Sequence, residues 1–353
     1  MIRLPGLTDP HVHMREPGAA HKEDWDSGTS AALAGGFTRV LAMPNTNPPV
    51  SDAATLELAL DLARSKARCD YAQFLGAGAE NAAEAAALSG RAAGLKMYLD
   101  QTYGPLRLDE MSSWMDHFAA YPSSSPICIH AEGRSIAAAI FLASLHHRAV
   151  HICHVARAEE IRVIRTAKEK GYAVTCEVAP HHLFLSTQDI ARLGPGWCEV
   201  RPRLASPRDV QALWDNLEFI DCFATDHAPH TRDEKANANP PPGFPGLETA
   251  LPLLLNAAAE GKLTLEDIIL RCHTNPERIF NLPPQPDTWI EVDDNLTWEV
   301  RGDILHTRCA WSPFDGMQVR GRIEKVVLRG QVAFEKGHIL AQPGYGINIR
   351  EKI

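Results

Sequence analysis

PICIHAEGRSIAAAIFLASLHHRAVHICHV, residues 126–155, carries two apolar runs on either side of an alanine-rich segment. The runs PICIHAE (126–132) and AVHICHV (149–155) do not alternate polar with apolar side chains, as a strand with one wet face would. They read as strands covered on both faces. The intervening IAAAIFLASLHHR (136–148) is long enough, and rich enough in strong helix formers, to be a crossover helix. A strand, a helix and a second buried strand make a parallel unit, because a direct turn could only return the chain antiparallel.

The same unit recurs outward from this stretch. Further strand candidates are residues 3–10, TRVLAMP (38–44), DYAQFLGAG (70–78), GLKMYL (94–99), AVTCEV (173–178) and FIDCFATD (219–226), separated by stretches such as DAATLELALDLARSKA and AEEIRVIRTAKEKG. Eight strands with helical connections favour an α/β fold of the (β/α)8 TIM-like barrel type over an open sheet. The 353 residues suit one such barrel, which takes roughly 250 residues, plus a modest appendage. The loop APHTRDEKANANPPPGFPG (228–246) reads as too polar and broken for core, and loops of this length are usually functional. From residue 289 the pattern turns to short strands (DTWIEVD, LTWEVR, EKVVLRGQVAFEKGHIL), so the expected division is a barrel over 1–288 and a small β-rich subdomain over 289–353.

A net charge of −9 and a pI near 6.0 argue against a nucleic-acid or anionic-membrane partner. There is no uncharged apolar run of about 18 residues, and the first residues lack the basic and apolar regions of a signal peptide. Eight cysteines without a CxxC pair read as reduced and mostly structural, in a cytoplasmic protein.

Active sites of such barrels sit at the C-terminal ends of the strands. The predicted strand ends carry His11 and His13, Asn45, Lys96, His130, His154, and Asp226 with His227 and His230. One such histidine is more often a satisfied structural residue; their convergence on one barrel mouth is a metal-site pattern. His11 and His13 alternate along a strand, leave the same face and can grip one ion. Imidazoles with a carboxylate suit zinc, and His130 and His154 could serve a second ion. Lys96 is either the partner of a strand-end carboxylate or a neutral buried amine able to take up carbon dioxide. The resulting carbamate could bridge two metals about 3.5–4 Å apart. Asp226 could ligate one metal and accept a proton from water. The pattern is that of a binuclear metallohydrolase.

DPHVHMREPG, KEDWDSGTSAALAGGFTRVLAMPNTNP, GLKMYL, ICIHAE, HICHVA, TCEVAPHHLFL and ATDHAPHT together resemble dihydroorotase, within the amidohydrolase superfamily. The resemblance is nearest to the dihydroorotase domain of the animal-type multifunctional pyrimidine-biosynthesis protein. It covers nearly the whole chain, including GFPGLETALPLLL and the C-terminal PGYG. It implies reversible, zinc-dependent cyclisation of N-carbamoyl-L-aspartate to L-dihydroorotate. His11, His13 and Asp226 would hold one zinc and His130 and His154 the other, with carboxylated Lys96 between them. Asp226 would also be the acid/base. Arg15, Asn45 and His230 would bind the substrate carboxylate, as a guanidinium fork suits, and Arg201 with the GFPG backbone would line the ring pocket. Arg15 could otherwise pair with Glu16, and Asn45 could be a turn residue.

The family closes a mobile loop over substrate with a Thr and an aromatic residue, here Thr102 and Tyr103 of DQTYGPLRL (100–108). The animal-type domains usually carry Phe at that aromatic position, so Tyr103 is a departure, as is Arg203 where relatives carry an acidic residue. Cys153 and Glu177 could offer a third metal site, although alternation argues against Cys153 facing the same way as His154. His181 and His182 would lie behind the metal ligands. Hydantoinases and allantoinases share the metal pattern but usually lack Arg15, and a non-catalytic scaffold domain should have lost ligands. Only ten residues precede His11, fewer than free-standing relatives carry, so a larger polypeptide with carbamoyl-phosphate synthetase and aspartate transcarbamoylase is expected, as a homodimer.

Overall fold

The computed structural model describes residues 1–351. Ten strands come first: β1 (Ile2–Pro5), β2 (Leu7–Val12), β3 (Phe37–Ala42), β4 (Asp70–Gln73), β5 (Leu75–Gly76), β6 (Leu95–Tyr98), β7 (Ile127–His130), β8 (Val150–Ile152), β9 (Val174–Val178) and β10 (Cys222–Phe223). β2, β3 and β4 pair in parallel, as do β5 through β10 in chain order. β4 and β5 form one stave broken at Phe74, whose N–H bonds Ala42 O on one side while Leu75 N–H bonds Gly94 O on the other. Beyond β10 the chain closes on β2: His13 N–H donates to His227 O at 2.7 Å, and the Asp9 carboxylate accepts from Thr225 N and Oγ1. The result is a closed parallel barrel of eight staves.

Helices cover the outside of the barrel. In Arg134–Leu145, Ile136, Ala139 and Ala143 are buried while Phe141 and Leu145 remain exposed, so the all-apolar segment uses one face. Each buried Leu or Ile side chain on such a face stabilises by about 1.5–3 kcal/mol. Asp24 caps the helix Trp25–Ala34 by accepting from Ser27 N at 2.9 Å, and Trp25 beneath it packs on Tyr71 of β4.

The expected first strand, 3–10, divides at Gly6. A Cβ on Gly6 would stand 2.3 Å from Thr38 Oγ1, so only glycine lets the chain step here from one sheet to another. β1 leaves the barrel and pairs antiparallel with β11 (Trp289–Glu299), which continues through β12 (Gln318–Leu328), β13 (Gln331–Glu335) and β14 (His338–Ile339). DTWIEVD and LTWEVR are a single long strand with a bulge, not two strands. The β-rich unit therefore draws its edge from the first residues of the chain. Its end returns to the barrel, where Tyr71 N–H bonds Ile347 O and Ile349 N–H bonds Tyr71 O.

The loop after the last stave also corrects the expectation. It contains a short helix, Arg232–Lys235, and buries His230, Lys235 and Phe244. Lys235 Nζ is caged by the carbonyls of Glu199, Pro241 and Gly243, which supply the acceptors its burial demands.

Candidate active site

One pocket at the C-terminal mouth of the barrel is lined by His11, His13, Arg15, Asn45, Tyr98, Thr102, Tyr103, His130, His154, Arg201, Asp226, Ala228, Pro242 and Gly243. Arg15, His154 and Asp226 hold φ values of 57°, 34° and 47°. Three left-handed non-glycine residues in one pocket mark a backbone held by its surroundings for function. The same conformation resolves the objection to Cys153. β8 ends at Ile152, so strict alternation no longer applies, and both Cys153 and His154 are buried inward.

The bonding around the HxH pair shows what it can hold. His13 Nδ1 lies 2.7 Å from Asn45 Oδ1, and His11 Nδ1 bonds Glu177 Oε1. With those N–H groups donating outward, each Nε2 presents a lone pair. The lone pairs face Asp226 Oδ1 at 3.3 Å from His11 and 3.1 Å from His13. Three acceptors converging call for a cation between them. Burial and Lys96 lower the His11 pKa, but Glu177 and Asp226 outweigh them and raise it to about 10; the field that favours a proton there equally favours a metal ion. Burial lowers His13 to about 4 against the pull of Asp226. Although burial pushes it up, Asp226 is held well below the carboxylate range by His11 and His13.

His130 Nδ1 and His154 Nε2 stand 2.9 Å apart, and His130 Nε2 and His154 Nδ1 have no partner among the described residues. Burial and neighbouring cations lower both rings, His130 to about 3, so they are neutral and able to ligate. Lys96 lies beneath, fully buried, with Nζ 2.9 Å from Cys153 Sγ and 5.2 Å from the Tyr98 ring. Among the described residues no carboxylate lies within ion-pair distance of it. The alternative of a strand-end carboxylate partner therefore fails. His11, His13 and Asp226 form one compact donor group, and His11, Cys153 and Glu177 form another. Glu177, however, already serves His11 through Oε1 and His151 Nε2 (3.1 Å) through Oε2, the bonding of a carboxylate that orients a ligand.

In the same pocket Arg15 is buried, with Nε donating to Pro229 O at 3.0 Å and Nη2 lying 3.0 Å from His230 Nε2. Arg15 makes no ion pair with Glu16, which instead bonds Lys66. Asn45 is more than a turn residue: besides orienting His13, its Nδ2 donates to Tyr103 O at 3.0 Å. This holds the loop after β6 over the pocket, and Gly104, at φ 105° with its Cβ position 3.3 Å from Asn45 Cβ, allows that approach. Thr102 and Tyr103 line the pocket from the loop. Arg201 lines it too, braced on Glu199 at 2.8 Å, whereas Arg203 is 66% exposed and lies outside. His181 and His182 are buried with no bond to a proposed ligand, and His227 turns away toward Glu23 and Gly246 N. Two participants escape a reading of strand ends. Tyr98 stands two residues beyond Lys96 on the same face, with a buried hydroxyl that has no partner, and alternation alone could have found it. Lys22 reaches the clamp from a loop and left no periodic signal.

The Amidohydrolase family profile matches residues 2–285. A dihydroorotase of Pyrococcus furiosus is 36% identical over 97% of this chain and 84% of its own length. The chain belongs to the dihydroorotase family of amidohydrolases. Within it, the chain is 54% identical over 99% of its length to the multifunctional protein CAD of Squalus acanthias. A multifunctional protein of Dictyostelium discoideum is 56% identical over 100% of the chain. The chain spans 16% of the length of each of these two relatives. Among solved structures, the L-hydantoinase of Arthrobacter aurescens superposes with a TM-score of 0.92 at 25% identity, over 98% of this chain and 88% of its own. An inactive dihydroorotase-like domain of a Chaetomium thermophilum CAD-like multifunctional protein matches with TM-score 0.85 at 29% identity, over 99% of both chains. No helix of the described residues is long and apolar enough to cross a membrane.

Proposed function

We propose that this chain catalyses the reversible cyclisation of N-carbamoyl-L-aspartate to L-dihydroorotate in pyrimidine biosynthesis. One observation carries the reading: buried Arg15, with His230 beside it, shares a pocket wall with the donor group His11, His13 and Asp226. A hydantoinase needs the metal residues but not a carboxylate clamp. A non-catalytic scaffold domain would be free to lose them, whereas every residue expected as a ligand is present in this sequence.

His11, His13 and Asp226 would hold one divalent ion, His130 and His154 a second, and Lys96 would bridge them after its amine adds carbon dioxide and releases a proton. We take the ion to be zinc, since four imidazoles and a carboxylate suit it. Such an ion pair, when bound, polarises a carbonyl and brings the pKa of water to about 7. Ring closure joins the ureido nitrogen to the side-chain carboxyl carbon with loss of water; Asp226 takes the proton that the nitrogen gives up, and hydrolysis retraces the path. Arg15, Asn45 and His230 hold the α-carboxylate, and Arg201 borders the ring. Thr102 and Tyr103 close the loop over substrate and exclude water. A third ion at Cys153 and Glu177 would have to displace the two histidines that Glu177 serves, and a metal count above two per chain would support it.

The likeness to multifunctional relatives supports a place in a polypeptide that also carries carbamoyl-phosphate synthetase and aspartate transcarbamoylase. Eight unpaired thiols suit the cytoplasm. A homodimer is the assembly we propose, twofold dimers being the commonest, with residues 1–288, apart from β1, as the catalytic barrel and 289–353 together with β1 as the β-rich unit. Metal analysis with a turnover assay on dihydroorotate tests the function. Zinc near zero with no turnover would overturn it, and turnover of hydantoins without dihydroorotate would favour the hydantoinase reading.

A further inference from the structure

Lys22, in the segment AHKEDW, is buried to 4% exposure at the rim of the pocket. Its ammonium contacts three side chains: Glu234 Oε1 at 2.9 Å, His230 Nδ1 at 3.2 Å and the Tyr103 hydroxyl at 3.4 Å. An ammonium only donates hydrogen bonds. His230 Nδ1 must therefore accept, and the ring proton must sit on Nε2.

That assignment decides what the clamp can bind. His230 Nε2–H finds Pro242 O at 3.0 Å, and on its other side faces Arg15 Nη2, another donor, also at 3.0 Å. With the ring N–H spent on Pro242 O, His230 offers the guanidinium no acceptor, and the Arg15 Nη2 N–H stays available to an anionic oxygen. Were Nδ1 protonated instead, Nε2 would accept from Arg15 and the guanidinium N–H would be spent inside the protein. Burial, with Arg15 and Lys22 alongside, pushes the His230 pKa far down, so the ring stays neutral and tautomer is its only freedom. Glu234 keeps Lys22 in place and is itself fixed by the Thr231 N–H at 3.0 Å.

The third contact joins this arrangement to the loop. The Tyr103 ring stands edge-on to His230 with centroids 5.4 Å apart and holds Lys22 Nζ 5.2 Å from its own centroid, while its hydroxyl adds the one hydrogen bond from Tyr103 to Lys22 among the contacts described. A phenylalanine would keep the ring contact and lose the bond.

We propose that Lys22 is a positioning residue that sets the tautomer of His230 and, through the Tyr103 hydroxyl, couples closure of the 100–107 loop to the carboxylate clamp. This inference rests on the dihydroorotase reading for the identity of the carboxylate. The test compares the metal-loaded wild-type chain with Lys22→Met, Tyr103→Phe and the double variant, in kcat, KM, zinc content and melting temperature. For Lys22→Met we expect KM for dihydroorotate to rise about tenfold, the size of one lost charge-assisted hydrogen bond, with kcat falling less than KM rises and zinc content unchanged. Tyr103→Phe should raise KM by a smaller factor alone and add nothing in the Lys22→Met background.

An unchanged KM in Lys22→Met, or independent multiplication of the two effects, would overturn the proposal. If Lys22→Met does not fold, Tyr103→Phe alone decides: a raised KM at unchanged zinc content supports the coupling, and an unchanged KM refutes it. A wild-type chain without dihydroorotate turnover would instead sink the functional reading, and the Lys22 effect would then be read from calorimetric binding of orotate, a ring carboxylate.

Discussion

Lys96 Nζ lies 2.9 Å from Cys153 Sγ, in a fully buried position that offers it no carboxylate. That enclosure, with no carboxylate to pair with, is what motivates the carbamate bridge proposed here. We expect Lys96→Ala to lose bound metal and at least about a hundredfold in activity, since even residues behind metal ligands are worth 10–100-fold. Zinc content and turnover measured together check this. Retention of both would refute the carbamate bridge.

Asp226 is expected to matter in kcat more than in KM. Asp226→Asn keeps the side-chain volume facing His11 and His13 but cannot take up a proton. General acid–base groups contribute about 10²–10⁴-fold, so kcat of the metal-replete variant should fall in that range. A fall of less than about tenfold would assign the proton transfer to another group.

Arg15→Lys tests the clamp. Lysine keeps a charge but loses the planar fork that donates to Pro229 O while facing His230. We expect kcat/KM on dihydroorotate to drop by about ten- to a hundredfold. A carboxylate-free ring amide should be affected far less, and an equal loss on both would mean that Arg15 serves the fold alone.

Glu248 gives a pH signature outside the site. Burial, with Glu23 adding to it, raises its pKa to about 8, although the His306 and Thr307 N–H groups pull the other way. A carboxyl that keeps its proton in the folded chain and loses it in the unfolded one contributes stability present at pH 4–5 and lost as pH rises toward 8. Glu248→Gln should therefore melt higher than the parent at pH 8, with the gap closing toward pH 5. A gap independent of pH would contradict the buried, protonated carboxyl.

Much of the barrel was legible because its strands are buried on both faces and its helices are long and apolar on one side. Periodicity reports both directly. Each of the eight strand candidates has its stave, and strand-end reading found His11, His13, Asn45, His130, His154 and Asp226 of the pocket. It failed at Gly6, where one apolar run serves two sheets, since burial looks the same in either. It also failed at the loop over 228–246, whose buried Lys235 is satisfied by the carbonyls of Pro241 and Gly243 within the loop and of Glu199 outside it.

The sequence by itself determined the candidate ligand types, their order on successive strands and, through Arg15, the carboxylate clamp proposed here. Only the tertiary structure decided the tautomers of His11, His13 and His230, the absence of an ion partner for Lys96, and the approach of Lys22 to the clamp. Those depend on residues far apart in the chain, 166 positions for His11 and Glu177 and 208 for Lys22 and His230, and hydrogen-bond direction is set by geometry that no local pattern encodes.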